Sequence, residues 1–172
     1  LRTNGSNSIL IQNGCNYLSF ERNHILGHII SSSASSDNHL TFRDIDLTGF
    51  DLNLEQASNS IAHFSTIERI TVRNITISNT SNIQADNING TRLNLINDSI
   101  VTIMNSRFNY DNYLGANDQV GIQVSNSRNI DINNTTLSIL GNYRARGIEV
   151  INSKSVTLQN NNITCGARRD WS

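Results

Sequence analysis

One eight-residue pattern constrains this chain more than any other feature: apolar, polar, apolar, any, Asn, two free positions, apolar. It reads LTFRDIDL from Leu40, ITVRNITI from Ile70, VTIMNSRF from Val101, IDINNTTL from Ile130 and VTLQNNNI from Val156, with a degenerate LSFERNHI from Leu18. Copies start about 22 to about 31 residues apart, the period of stacked structural repeats. Apolar residues at the first and third positions, with Ser, Thr or Asp between them, are the alternation of a strand with one face in and one out. The fifth position holds Asp44, Asn74, Asn105, Asn134 and Asn160. Asparagine tolerates left-handed backbone better than other residues with a side chain, so a fixed Asn between two short apolar runs predicts a sharp corner.

A second strand signal precedes several copies. GIQVSNS from Gly121 and GIEVINS from Gly147 match closely, RLNLINDS from Arg92 and IAHFSTIE from Ile61 more loosely, and ILIQNG from Ile9 is a candidate first copy. One repeat therefore reads strand, turn, short strand, Asn corner, short strand, loop. Such a unit cannot bury its own apolar face, but stacked units can, each strand pairing with its equivalent in the next coil. The prediction is an all-β, single-stranded parallel β-helix of about six coils spanning residues 1–172 as one domain. Asn74, Asn105, Asn134 and Asn160 are expected to stack as a structural ladder.

Composition agrees. The chain has 23 isoleucines, which favour strands, and 28 asparagines, which recur in register with them. There is no proline, so no strand lacks a backbone donor for that reason. A net charge of -1 and 16% charged residues give no field directed at nucleic acid or an anionic membrane. No apolar run approaches the roughly 20 residues of a membrane span. The chain opens at Leu1 without a start Met or signal-peptide pattern, so a segment of a longer protein is expected.

GIQVSNSRNIDINNTTL and GIEVINSKSVTLQNNNI resemble the repeat of right-handed parallel β-helices, the superfold of pectate lyases, phage tailspikes and bacterial surface passengers. The likeness runs from about Ile9 to Thr164. It implies a right-handed coil in a secreted or surface-displayed protein, placed outside the bacterial cell. Solenoid ends expose apolar core unless capped, and neither end shows an amphipathic capping helix. Further coils, or a cap from the parent protein or another subunit, are expected partners.

In members of this superfold that act on glycans, the active surface is the first sheet with its flanking loops. Alternation there points Gln123 and Glu149 outward, with His63 and Asn94 in line. Asp118 comes from the loop before one coil, and Tyr143, Arg144 and Arg146 from the loop before the next. The resemblance implies a saccharide groove in which amides and Arg bind hydroxyls and carboxylates and Tyr143 stacks on a ring. Glu149 with Asp118 or His63 would do acid–base work. The plainer alternative is a solvated sheet face. The proline-containing Arg motif of pectate lyases is absent, as are the Asn-Thr-Asp, Asp-Asp and Gly-His-Gly strings of polygalacturonases. The leading expectation is a non-catalytic stalk or adhesive surface that binds glycans or host molecules. A polysaccharide lyase or glycoside hydrolase is the second. A trimeric spike component, with Ile96 and Ile151 outward, is the third.

Other motifs are weaker. Cys15 and Cys165 fall in the first and last coils, about 24 Å apart at 4.8 Å per coil, too far for a disulfide and without metal-ligand spacing. Two free thiols and no cofactor are expected. DNYLGAND from Asp111 makes calcium conceivable, but a loop accounts for it better than a metal site. Asn-x-Ser/Thr triplets, as at Asn97 and Asn162, are expected by chance in this composition.

Overall fold

The computed structural model describes residues 9–12, 15–31, 39–55, 65–111, 118–141 and 144–167. Every strand pairing among them is parallel. The chain winds as a parallel β-helix with three faces. Ile9–Ile11, Ile29–Ser31, Arg92–Ile96, Gln119–Ser125 and Ala145–Ile151 lie on the first face. Ser19–Glu21, Ser99–Met104, Arg128–Asn133 and Lys154–Gln159 lie on the second. Arg107–Asp111, Thr136–Gly141 and Asn162–Ala167 lie on the third. The long strands Thr41–Glu55 and Ser65–Ser78 bend around two corners and serve all three. Ser81–Gly90 serves the second and third.

The registers turn strand alternation into inward columns. On the first face Ile29, Leu52, Ile75, Leu93 and Ile122 follow one another. Each is 2% exposed or less, so the column is closed to water. On the second face the equivalent column is Phe20, Phe42, Ile67, Ala85, Ile103 and Ile132. Apolar neighbours at one-rung spacing bury apolar area on both sides, which no isolated coil achieves. Gly90 stands where the third face has Val72 on one side and Phe108 on the other. The Phe108 ring fills its space, 3.2 Å from where a Cβ would lie.

Among the described residues the second face stacks seven rungs, entered by Leu18, Leu40, Ser65, Ile83, Val101, Ile130 and Val156. Two coils between Ser65 and Val101 take only 18 residues each, as the pairings Ser65–Ile83 and Ile83–Val101 measure. Their octads are degenerate: STIERITV has Ser first and Arg fifth, and IQADNING ends in Gly. ITVRNITI is therefore not a rung of this face. Its Ile70 pairs with Ile45 and Ile88, and its Asn74 pairs with Asp51 and Arg92 at the start of the first face. Any strand–corner–strand unit yields the octad, and here it marks a different corner.

The corner predicted from the fifth position exists. Arg22, Asp44, Arg69, Asn87, Asn105, Asn134 and Asn160 occupy equivalent sites, and all have positive φ near 50°. Asn134 donates its side-chain amide to Asn105, and Asn105 to Asp86, each at 2.7 Å. Asn74 is absent from this ladder, and Arg69 takes its rung. Arg69 reaches the neighbouring Asp44 through Nε at 2.6 Å and also contacts Glu68. Its hydrogen bond holds the Asp44 carboxyl below the usual range.

A second ladder, which the octad does not include, turns the chain from the first face to the second. Asn79, Asn97, Asn126 and Asn152 are left-handed there, and Asn97 donates to Asn79 at 3.2 Å. Three residues on, Asn82, Ile100, Asn129 and Ser155 are left-handed again. Between these corners runs a polar column of Thr80, Asp98, Ser127 and Ser153. The Thr80 amide donates to Asp98, the Asp98 amide to Ser127 Oγ, and the Ser127 amide to Ser153 Oγ. Backbone groups left unpaired at the corner are thereby satisfied by the next coil.

Candidate functional site

The first face carries the outward stripe in the expected register. Asn94, Gln123 and Glu149 are successive neighbours. Gln123 Nε2 donates to Glu149 Oε2 at 3.0 Å. Asn94 Oδ1 is buried and has no hydrogen-bond partner. The next rung beyond Asn94 is Thr76 and then Asn53. His63, expected in line with Asn94, lies outside the described residues, as does Tyr143, and Thr76 holds the rung beside Asn94.

Arg146 joins the remaining candidates. Its Nη2 lies 3.1 Å from Asp118 Oδ2 and its Nη1 3.4 Å from Glu149 Oε1. Arg144 adds a looser contact of 3.9 Å to Asp118. The two carboxylates do come together, but around one shared guanidinium. Glu149's other oxygen is occupied by Gln123. This geometry orders polar groups for hydrogen bonding more readily than it supplies one acid and one free base. Ile96 and Ile151, expected as an apolar outward pair, are separated by Ser125 on the intervening rung and form no continuous patch.

A site that the repeat pattern conceals lies at the corner where the third face passes into the first. There Asp51, Asn74, Arg92 and the position of Gly121 are stacked neighbours. In the coil of Gly121, Ile139 fills the corner, so closely that a Cβ on Gly121 would stand 2.5 Å from its Cδ1. One rung away, Arg92 and Tyr110 replace Gly121 and Ile139. The Arg92 guanidinium carbon lies 5.6 Å from the Tyr110 ring centroid. A concavity of about 510 Å³ opens beside them, lined by Arg73, Asn74, Thr91, Arg92, Asn109, Tyr110 and Asp111.

The charges in this concavity are unequal in freedom. Arg73 grips Asp51 with two bonds, Nε to Oδ1 at 2.9 Å and Nη2 to Oδ2 at 2.6 Å. Burial alone would raise the Asp51 carboxyl. The bonds and charge of Arg73, the Asn74 amide and nearby His28 outweigh it and hold the group below the usual range. Arg92 makes no ion pair among the described residues, and its buried Nε has no acceptor.

Asp98 is the buried carboxylate of the polar column, 2% exposed. Burial pushes it up to about 7, against hydrogen bonds from Thr80 and Ile96 that favour the ionised form. A shallow hollow of about 370 Å³ lies outside it, with Arg128 and Lys154 on its rim. No group of three or more His, Cys, Asp and Glu among the described residues is placed to hold a metal ion. Of DNYLGAND, residues 112–117 lie outside the described set. Neither Cys15 nor Cys165 forms a disulfide among the described residues, and Cys15 Sγ donates to the Gln12 carbonyl at 3.1 Å. Cys165 sits in the column of Ile139 but is exposed in the last described coil, and burial of part of it raises its thiol above the usual value.

No protein-family model, curated protein or solved structure matches the chain.

Proposed function

We propose that the chain is a rigid segment of a pectate-lyase-like parallel β-helix from a secreted or surface-displayed bacterial protein. Its first face binds glycans or host-surface molecules without cleaving them. The observation that carries this reading is Arg146 held between Asp118 and Glu149 beside the amides of Gln123 and Asn94. Amide, hydroxyl and guanidinium groups repeat along the stripe at about 4.8 Å per rung, on a backbone whose flexibility is removed by stacking. That presents preordered donors and acceptors to a hydroxylated polymer, while the two carboxylates needed for hydrolysis are engaged with the same cation.

The last described coil supports a partner for the stack. Val150, Leu158 and Ile163 are 44–46% exposed, whereas Val124, Ile132 and Leu137 one rung inward are at most 1% exposed. A further coil or another subunit covering this rung would bury them.

The test is reducing-end release and polysaccharide binding on one panel of neutral and acidic glycans, for the wild type and Glu149→Gln. Binding without release, weakened in the variant, is the expected result. Release that disappears in Glu149→Gln would replace this reading with a polysaccharide lyase or hydrolase working on the first face.

A further inference from the structure

We infer that the corner lined by Arg92 and Tyr110 is a binding site for the carboxylate of a hydroxylated acid, that is, a sugar acid, free or within a chain. Three observations lead there. The site is a true concavity, whereas the equivalent corner one rung on is closed by Gly121 and Ile139. Its two guanidinium groups differ in freedom, because Asp51 pairs with Arg73 while Arg92 makes no ion pair among the described residues. And Arg92 Nε–H is buried without an acceptor, although a buried donor normally has one.

The ligand's chemistry follows from the lining. A guanidinium presents a planar fork that fits the two oxygens of a carboxylate. The Tyr110 ring, 5.6 Å from the Arg92 guanidinium carbon, restricts that group before a ligand arrives, so less freedom is lost on binding. A dianionic phosphate suits the corner less well, since only one guanidinium is free and Asp111 stands in the lining. Thr91, Asn74 and Asn109 supply neutral hydroxyl and amide groups around it, matched to a ligand with hydroxyls next to its acid. Asp111 makes no ion pair with either arginine, so it opposes an anion without closing the site.

The alternative role for Arg92 is packing alone, its stem and guanidinium lying over Tyr110 as a lid. The two roles separate by NMR of the ¹⁵N-labelled chain, following the Arg92 Nε–H resonance. Three probes are used: glucuronate, glucose and a glucuronate-containing oligosaccharide. The expected result is a saturable shift with glucuronate and none with glucose. Arg92→Lys should keep the fold and weaken binding by about tenfold, the loss of one charge-assisted pairing. Asp111→Asn should tighten binding about threefold by removing a like charge. Equal response to the free acid and the oligosaccharide assigns a monomer or chain end. Response to the oligosaccharide alone assigns a polymer. An Arg92 resonance unmoved by either at about 10 mM, an equal shift with glucose, or undiminished binding in Arg92→Lys overturns the inference. The first-face reading is tested at Glu149 and fails separately.

Discussion

Asn134 donates its side-chain amide to Asn105 Oδ1 in the adjacent coil at 2.7 Å, and both backbones are left-handed with φ of 49°. One residue type thus meets two demands, a conformation and a bond between coils. Replacement separates them. Asn134→Gly keeps the conformation and loses the bond, so about 1 kcal/mol of stability should go. Asn134→Ala loses both, and the cost should rise to about 2 kcal/mol. Urea denaturation of the two variants checks the order; equal losses would mean that the corner conformation is not the limiting demand.

Ile100 has φ of 56° at a position where the neighbouring coils have Asn82, Asn129 and Ser155. A β-branched residue is poorly suited to that region, and this one is half exposed, so little burial compensates. Ile100→Asn is expected to stabilise the chain by about 1 kcal/mol. A lower melting temperature in this variant would show that the isoleucine contributes packing that outweighs its backbone strain.

The buried Asp98 makes stability depend on pH. Its folded-state pKa, pushed up to about 7 by burial, stands above the ordinary 3.8. Between those values the folded chain keeps a proton that the unfolded chain releases. The associated stability is full below about pH 4, falls as pH rises, and is gone above about pH 7. At about 1.4 kcal/mol per pH unit the change is at most about 4 kcal/mol. Asp98→Ser should flatten this slope and be the more stable form at pH 8. Ser127 shows why a serine serves: in the same column it accepts the Asp98 amide and donates to the Ser125 carbonyl. Parallel pH–stability curves for the two proteins would remove Asp98 as the cause.

Gly121 and Gly147 are equivalent on successive rungs. A Cβ at Gly121 would meet Ile139 Cδ1 at 2.5 Å and the Gly147 carbonyl at 3.0 Å. Ile139 is fully buried and has nowhere to go. A Cβ at Gly147 would clash with Ile163, but that side chain is 44% exposed and free to turn away. Gly121→Ala should therefore cost about 2 kcal/mol and Gly147→Ala less than half of that. Thermal melts of the pair decide it, and the reverse order would show that the last described coil is packed as tightly as the one before.

Much of this was legible in the chain itself. Alternating isoleucines with an Asn corner identified the stacked coil, the parallel pairing and the ladder bond from Asn134 to Asn105, whereas Asn160 keeps the corner conformation but donates to Asn133 instead. The outward stripe of Asn94, Gln123 and Glu149 followed from the same alternation. Short-range pattern suffices for these because strand period and left-handed corners are properties of a few consecutive residues. It failed at ITVRNITI, where the same pattern marks a different corner and two 18-residue coils hide beneath degenerate copies. Pattern matching within a coil cannot count coils; only pairing between them does.

The sequence alone therefore determined the repeating unit, its apolar interior and its polar corners, all set by local backbone and burial preferences. The tertiary structure decided the register between coils, and with it every contact across them. Register seats Arg69 on Asp44, places Asp98 inside the serine column, and sets Arg92 over Tyr110 where the next coil has Gly121 and Ile139. Such contacts join residues about 18 to 30 positions apart. Their chemistry depends on how many residues each loop takes up, which no local preference encodes.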